Sequence, residues 1–528
     1  MCRFFLTSIL VLAAVAASIP SHATPATPNI IYILCDDLGY GDVKCLNAKG
    51  KIATPNFDRL AAGGMIFTDA HTSSSVCTPT RYGILTGRYN WRSRLKSGVL
   101  GGLSPRLIEE GRLTVPAMLK KQGYTTGCIG KWHLGMDWVK HEGKRVSELT
   151  IETPEQVGSV NFTKPMTNGP LAVGFDSYFG IAASLDMVPY AFIENDRVTQ
   201  QPTETRKIEM MTGRENGFTR EGPAAPGFTG YEVLPTLTNK AVEFVTKHAA
   251  GAKAGTPFFL YLPLTAPHTP ILPTPEWLGK SGLNPYADFV MQTDWSIGQV
   301  LDAVEKAGLA EDTLIVATSD NGCSPSAKFD ELAAKDHHPS YVFRGHKADI
   351  FDGGHHVPFI VRWPARVKAG SKSDQIICTT DLMATAAEIV GTKLSDTAGE
   401  DSVSFLPALL GKDTAPLREA IVHHSINGSF SIRQGNWKLE LCGDSGGWSA
   451  PKPGTREAAE LPPIQLYDLN TDIGEKKNVQ GAHPEIVQRL TTLLEKYVAD
   501  GRSTAGAPQQ NTTPVSLHPA PAKPKKAK

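Results

Sequence analysis

The sequence predicts an α/β fold: a large, mostly parallel, doubly wound sheet flanked by helices, followed by a smaller C-terminal domain with an antiparallel sheet and a helix. Three observations lead to this prediction. Apolar runs end abruptly in polar residues, helix-like stretches lie between these runs, and the pattern changes to short strands after about residue 415. Strands that alternate with helices are typical of doubly wound sheets.

Four long apolar runs are the predicted strands of the large sheet: residues 29–35, 124–130, 257–264 and 313–318. Continuous apolar runs of this length suit strands that are buried on both faces, as in parallel sheets. The predicted helices have the start and stop signals of helices and cover residues 54–63, 114–123, 237–250 and 286–307. Because ligands bind beyond the carboxyl ends of such strands, we expect the polar residues after the four runs to converge on one site.

The rest of the chain has weaker patterns. Residues 136–236 are rich in turns and predict loops and short helices over the sheet, a source of substrate selection. After residue 415, short strands are expected at 430–433, 437–442 and 465–469, with a helix at 484–499. The predicted division is a signal peptide (1–23), an α/β domain (24–415), a C-terminal α+β subdomain (416–502) and a disordered Pro/Ala/Lys-rich tail (503–528).

The N-terminus has the pattern of an export signal. Arg3 precedes an apolar stretch at 4–17, and Ser21-His22-Ala23 fits a small-x-small cleavage site. An uncleaved membrane anchor is the alternative, although the stretch is short for a spanning helix. The expected location is therefore periplasmic or secreted. The 53 basic and 53 acidic residues balance, which argues against a nucleic-acid-binding protein and against membrane attraction after signal removal.

Eight cysteines in 528 residues are few for an exported protein, and no CxxC pair indicates zinc or redox chemistry. Cys35 and Cys128 lie in apolar runs and are expected to be buried. Disulfide pairing cannot be read from the sequence.

Residues 73–88 contain the most specific motif of the sequence, Cys77-Thr-Pro-Thr-Arg81. Pro79 suits the first turn of a helix, which would place Cys77 at a helix N-terminus, where an anion is favoured. Arg81 would lie one turn further on. Two alternatives are a buried structural cysteine before an ordinary helix and an unmodified cysteine nucleophile, which would lack an adjacent histidine base.

Two pairs of oxygen-bearing residues follow predicted strands, Asp36-Asp37 and Asp320-Asn321. Three carboxylates and an amide are hard oxygen donors, which suit Ca²⁺ or Mg²⁺ better than zinc. The alternative is that these residues only form turns and caps.

Four segments together resemble the type I, Cys-type sulfatases of the alkaline-phosphatase-like superfamily. They are Cys77-Thr-Pro-Thr-Arg81, Gly130-Lys-Trp-His-Leu-Gly135, Pro267-His-Thr-Pro270, and Lys347 upstream of Asp352-Gly-Gly354. The resemblance covers about residues 27–480. It implies that a maturation enzyme oxidises Cys77 to Cα-formylglycine, whose hydrate attacks sulfur, releases the alcohol and then eliminates sulfate.

The resemblance also implies residue roles. Lys131 would contact sulfate and the aldehyde oxygen, and His133 would take the proton of the hydroxyl that does not attack. His268 would contact sulfate and protonate the leaving oxygen, and Lys347 would share both tasks. The implied catalytic residues are Cys77, Arg81, Lys131, His133, His268 and Lys347. The implied calcium ligands are Asp36, Asp37, Asp320 and Asn321, with an oxygen from position 77.

Four further residues match less closely. Ser184 roughly matches a serine that contacts sulfate, and an ordinary loop hydroxyl is the alternative. Asp186 is a candidate substrate contact near Ser184. Asp186, His337 and His338 are otherwise expected to be surface residues without function.

The resulting expectation is an exported hydrolase of sulfate esters, with sulfated carbohydrate as the substrate. One alternative is a phosphoester or phosphonate hydrolase of the same superfamily, and another is a protein that binds sulfated glycans without turnover. The sequence leaves open the sugar, the sulfated position, exo or endo action, the oligomeric state and the choice between Ca²⁺ and Mg²⁺.

Overall fold

The computed structural model describes residues 27–144, 153–214, 217–413 and 415–518. The predicted signal peptide lies outside the described residues. In the part of the chain that is described, no helix combines the length and apolar character needed to cross a membrane.

A ten-stranded mixed sheet forms the centre of the molecule, with strand order β13-β2-β12-β11-β1-β10-β4-β5-β6-β7. Its strands are β1 (Asn29–Asp36), β2 (Met65–Phe67), β4 (Thr125–Lys131), β5 (Ser177–Ile181), β6 (Ile193–Glu194), β7 (Arg197–Val198), β10 (Phe258–Pro267), β11 (Thr313–Ser319), β12 (Phe359–Arg362) and β13 (Ser371–Ser373). The four apolar runs predicted as strands are β1, β4, β10 and β11. They are parallel neighbours, and β1 and β10 are buried along their whole length.

Helices flank this sheet. They are α1 (Pro55–Ala62), α2 (Cys77–Thr86), α3 (Val115–Lys121), α4 (Pro154–Val157), α5 (Val233–Lys253), α6 (Pro285–Lys306), α7 (Phe329–Ala333), α8 (Asp352–His355), α9 (Leu382–Ile389) and α10 (Leu406–Leu409). Helices α1, α5 and α6 form one packed group, and α2, α3 and α9 form another. The predicted fold class is confirmed.

Short strand pairs complete the α/β part: β3 (Ala70–His71) with β14 (Ile377–Cys378), and β8 (Glu204–Arg206) with β9 (Gly222–Ala224). Residues 136–236 were expected to hold loops and short helices. In the described part of this stretch, the short strands β5 to β9 lie between the loops, and β5 extends the large sheet beside β4.

A second sheet lies towards the C-terminus. It contains β15 (Ile421–His424), β16 (Phe430–Gln434), β17 (Trp437–Glu440) and β18 (Gln465–Asp468), and all neighbours are antiparallel. Helix α11 (Arg456–Ala459) lies in the connection to β18, and α12 (Pro484–Ala499) packs on the sheet. This sheet has its own buried cluster, in which Leu490 and Leu494 of α12 pack with Ile432 and Leu439.

The chain after α12 returns to the α/β part. Thr512 N donates a hydrogen bond to Arg92 O at 2.8 Å, and Arg88 donates to Gln510 O at 2.8 Å. The expectation of a disordered tail from residue 503 therefore does not hold for this stretch, because two buried arginines bind its backbone. Residues 519–528 lie outside the described residues.

Candidate active site

The candidate active site lies at the carboxyl ends of the four central strands. Asp36 is the last residue of β1, Lys131 is the last residue of β4, and Asp320 directly follows β11. His268 directly follows β10. Because these strands are parallel neighbours, their ends bring the four side chains to one place.

Cys77 is the first residue of α2, so its thiol lies at a helix N-terminus, as the sequence predicts. The residue is 3% exposed. Arg81 lies one turn further on, fully buried, and donates to Asp320 Oδ2 from Nε at 3.0 Å and from a terminal nitrogen at 2.7 Å. A helix N-terminus and a buried guanidinium group therefore both favour an anion beside Cys77.

Three buried carboxylates, Asp36, Asp37 and Asp320, form an acidic cluster in which one oxygen from each lies within 4.8 Å of the others. Asn321 joins this cluster, because its Nδ2 donates to Asp37 Oδ1 at 2.7 Å. Asp36 Oδ1 and Asn321 Oδ1 are buried without a hydrogen-bond partner among the described residues. Unpartnered carboxylate and amide oxygens are the ligands that Ca²⁺ or Mg²⁺ prefers, so the residues present fit such an ion.

Each carboxylate of the acidic cluster also has a cationic partner. The pairs, with their shortest N···O distances, are Lys131–Asp36 (2.7 Å), Arg81–Asp320 (2.7 Å) and Lys347–Asp37 (2.7 Å). Burial alone would raise the pKa of Asp36, but the nearby cations, Lys131 first, hold that pKa well below its ordinary value. Burial would lower the pKa of Lys347, but the Asp37 carboxylate raises it instead. The three pairs together are electrically neutral.

Ser184 connects two of the nitrogen-bearing side chains. Its Oγ accepts a hydrogen bond from Lys131 Nζ at 3.2 Å and lies 3.1 Å from His268 Nδ1. Burial lowers the pKa of His268, but the carboxylates of Asp37, 3.7 Å from Nε2, and Asp36 act in the opposite direction, and the pKa is raised to about 9. The imidazole of His268 is therefore positively charged at neutral pH.

His133 has the opposite character. Its backbone φ is 57°, and its Nε2 lies 2.7 Å from the carbonyl oxygen of Leu100, so Nε2 must carry the hydrogen. Nδ1 is buried without a hydrogen-bond partner among the described residues. Burial first, and then the charges of Lys131 and Arg81, lower the pKa of His133 well below its ordinary value. His133 is therefore neutral, with a free lone pair on Nδ1.

The weaker candidates have different positions. Asp186 is partly buried, and its Oδ1 has no hydrogen-bond partner among the described residues. His338 is exposed, as expected. The expected exposure of His337 is wrong, because this side chain is buried with Nε2 2.8 Å from Asp42 Oδ1. Both ring nitrogens of His337 thus have protein partners, Asp42 and the backbone nitrogen of Lys51.

Backbone groups that the sequence motifs do not indicate also position the site. Leu100 orients His133 through a carbonyl oxygen, and Ser75 accepts a hydrogen bond from Ala348 N at 2.8 Å, next to Lys347. No side-chain motif marks such groups, so the sequence offered no signal for them.

Comparison with known proteins identifies the family. A family model described as Sulfatase matches residues 28–392. The chain belongs to the sulfatase family. This sulfatase, as a member of the alkaline-phosphatase-like superfamily, is a sulfuric ester hydrolase.

Two relatives and one solved structure are similar over most of this sulfatase. N-acetylgalactosamine-6-O-sulfatase of Bacteroides thetaiotaomicron is 34% identical over 504 residues, which cover 89% of this chain and 92% of the relative. Human arylsulfatase A is 30% identical over 94% of each chain. A solved Bacteroides thetaiotaomicron structure, from work on glycosaminoglycan metabolism, has 34% identity and a TM-score of 0.75, and covers 89% of this chain and 99% of that one.

Proposed function

We propose that this sulfatase is exported and hydrolyses sulfate esters of carbohydrates with a formylglycine made from Cys77 and a bound divalent cation. The observation behind the proposal is the neutral group of three carboxylates and three cations beside Cys77. A divalent cation in the acidic cluster would make this group positive, which favours a sulfate ester anion. The similarity to a bacterial N-acetylgalactosamine-6-O-sulfatase supports a sulfated carbohydrate as the substrate.

Two groups would complete the site. Asp36, Asp37, Asp320 and Asn321 would hold the cation, Ca²⁺ or Mg²⁺, which when bound would polarise an oxygen and offset the charge of sulfate. The formylglycine at position 77 would supply a hydrated aldehyde as the nucleophile.

The other side chains would bind the ester and move protons. Lys131 and Lys347 would bind sulfate oxygens while each also holds a carboxylate of the acidic cluster. His268, oriented by Ser184, would give a proton to the leaving alcohol oxygen. His133 would accept a proton at Nδ1, the nitrogen that no described group occupies.

The remaining parts of the proposal concern the whole chain. Residues 1–23 would direct export to the periplasm or beyond the cell, and a formylglycine-generating enzyme would act on Cys77. Residues 24–415 would form the catalytic domain and residues 416–502 the C-terminal subdomain.

The experiment compares two substrates with the same sugar, one a sulfate ester and the other a phosphate ester. The full chain is produced together with a formylglycine-generating enzyme, and the mass of the peptide across Cys77 is measured. Conversion of the thiol to an aldehyde lowers this mass by about 18 Da. The converted protein is then given N-acetylgalactosamine 6-sulfate or N-acetylgalactosamine 6-phosphate, and the released anion is quantified. We expect sulfate release that stops when the divalent cation is chelated.

Controls separate the rival functions. Cys77→Ala should abolish release, whereas Cys45→Ala, at a partly buried cysteine outside the site, should retain it. Faster phosphate release would identify a phosphoester hydrolase. Binding of the sulfated sugar without release by fully converted protein would identify a glycan-binding protein and overturn the proposal.

A further inference from the structure

Loops of the C-terminal sheet contact the backbone segment that follows Lys347. The segment that follows Lys347 is bonded on both sides. Ala348 N donates to Ser75 O at 2.8 Å, two residues before Cys77, and Ala348 O accepts from Ile426 N at 3.1 Å. Two residues further along the chain, Ile350 N donates to Ser445 O at 2.8 Å. The loop around residue 445 therefore contacts the segment 348–350, and this segment in turn contacts Ser75, two residues before Cys77.

A buried carboxylate fixes this loop in place. Asp349 Oδ1 accepts hydrogen bonds from Trp448 N at 2.7 Å and Ser449 N at 3.0 Å, and Asp349 is fully buried. Gly447 makes the close approach possible, because a Cβ at this position would lie 2.5 Å from both Asp349 Oδ1 and Ala348 O. The backbone of Trp448 is thus held by Asp349, two residues after Lys347.

The side chain that this rigid loop presents is unusual. Trp448 is 40% exposed, although an indole ring gains much from burial. Two hydrogen bonds from backbone nitrogens to a buried carboxylate hold the loop that carries this exposed indole. An ordered, exposed aromatic ring beside a polar site is a typical surface for the apolar face of a ligand.

We propose that Trp448 is a platform on which the sugar ring of the sulfated substrate stacks. The inference depends on the proposed function, because it assigns the ring of the same ester whose sulfate Lys347 would bind. The C–H face of a pyranose ring is apolar and matches the face of an indole. Trp448 would therefore contribute to sugar affinity and leave the binding of the sulfate group unchanged.

The test separates sugar binding from sulfate binding. Trp448→Ala should raise KM for N-acetylgalactosamine 6-sulfate about tenfold with little change in kcat. It should leave inhibition by inorganic sulfate, which has no ring, at the wild-type constant. Trp448→Phe should recover most of the affinity. Leu171→Ala is the matched control, since Leu171 is 37% exposed and lies at the opposite, amino end of the sheet.

Two results would overturn the inference: an unchanged KM in Trp448→Ala, or an equal weakening of inorganic sulfate, which would indicate a structural role. If the wild type releases no sulfate, the proposed function fails, and the platform is tested separately. Calorimetric binding of N-acetylgalactosamine 6-sulfate to Cys77→Ala protein, with and without Trp448→Ala, then decides. Equal affinities would end the inference, and about tenfold weaker binding would support it.

Discussion

Lys131 makes two buried contacts through its Nζ. Its Nζ lies 2.7 Å from Asp36 Oδ2 and 3.2 Å from Ser184 Oγ. We expect Lys131→Met to lower the rate of sulfate release at least about 100-fold, as for loss of one preorganised donor. It should also lower the free energy of unfolding by about 3 kcal/mol or more, because Asp36 is left buried without its partner. Initial rates and urea titrations measure the two effects.

An exposed lysine–aspartate pair provides the control. Lys120 Nζ lies 2.6 Å from Asp176 Oδ1, and the Lys120 side chain is 52% exposed. Lys120→Met should keep full activity and change the free energy of unfolding by less than about 1 kcal/mol, because solvent screens such pairs. If Lys131→Met and Lys120→Met had the same rate of sulfate release and the same free energy of unfolding, the buried pair would contribute no more than the exposed one.

At the scale of single residues, the sequence indicated most of the side chains that meet in the site, because their motifs follow strand ends. Asp36, Lys131 and Asp320 are examples. It could not indicate Leu100, whose contribution is a carbonyl oxygen, or the burial of His337. The burial of His337 depends on Asp42, which is distant in the chain and reaches it only through the tertiary fold.

Among the elements, the end of β4 has little space for a side chain at Gly130. Gly130 has φ 138°, and a Cβ there would lie 1.8 Å from Pro263 O in the neighbouring strand. Gly130→Ala should therefore lower the free energy of unfolding by about 3 kcal/mol or more and displace Lys131, the next residue. Urea unfolding and sulfate release check both consequences.

Gly123 is the matched position, just before β4. Its φ is 84°, but a Cβ there would meet no atom within 4 Å. Gly123→Ala should cost only about 1 kcal/mol, from backbone strain alone, with activity retained. Equal losses of unfolding free energy in Gly130→Ala and Gly123→Ala would show that backbone strain, and not the contact with Pro263 O, determines the effect of Gly130→Ala.

Long elements and short strands with a distinct apolar pattern were predictable, whereas short strands with polar or very few residues were not. The helix expected at 484–499 is α12, Pro484–Ala499. In contrast, β15 (Ile421–His424) was missed because half of its four residues are histidines. The short strands β6 and β7 have two residues each, too few for an alternating pattern to be recognised.

Across the whole molecule, a buried polar network joins the C-terminal sheet to the α/β part. Lys438 of β17 donates to Asp352 Oδ1 at 2.8 Å and lies 3.2 Å from His355 Nε2. His355 Nδ1 lies 3.0 Å from His71 Nδ1, and His71 Nε2 lies 2.7 Å from Asp69 Oδ1. The sequence suggested two parts but not this connection, because its members are far apart in the chain.

This network makes the molecule sensitive to acid. Burial first, and then the nearby His356, lower the pKa of His71 from 6.5 to about 4, although Asp69 acts in the opposite direction. Burial also lowers the pKa values of His355 and His423. Between about pH 6.5 and pH 4 the unfolded form of His71 therefore binds more protons than the folded form, and its contribution to the free energy of unfolding falls as the pH falls.

His71 alone accounts for about 3 kcal/mol of this loss over the full window. We expect the wild type to lose stability between about pH 6.5 and pH 4 in urea titrations, and His71→Asn to lose distinctly less. His338→Asn, at an exposed histidine, should follow the wild type. Asp69, His355 and His423 interact with His71, so the difference between the wild type and the His71 variant reports His71 together with these partners. Parallel pH profiles for the wild type and His71→Asn would mean that His71 accepts its proton in the folded state and that the network tolerates the added charge.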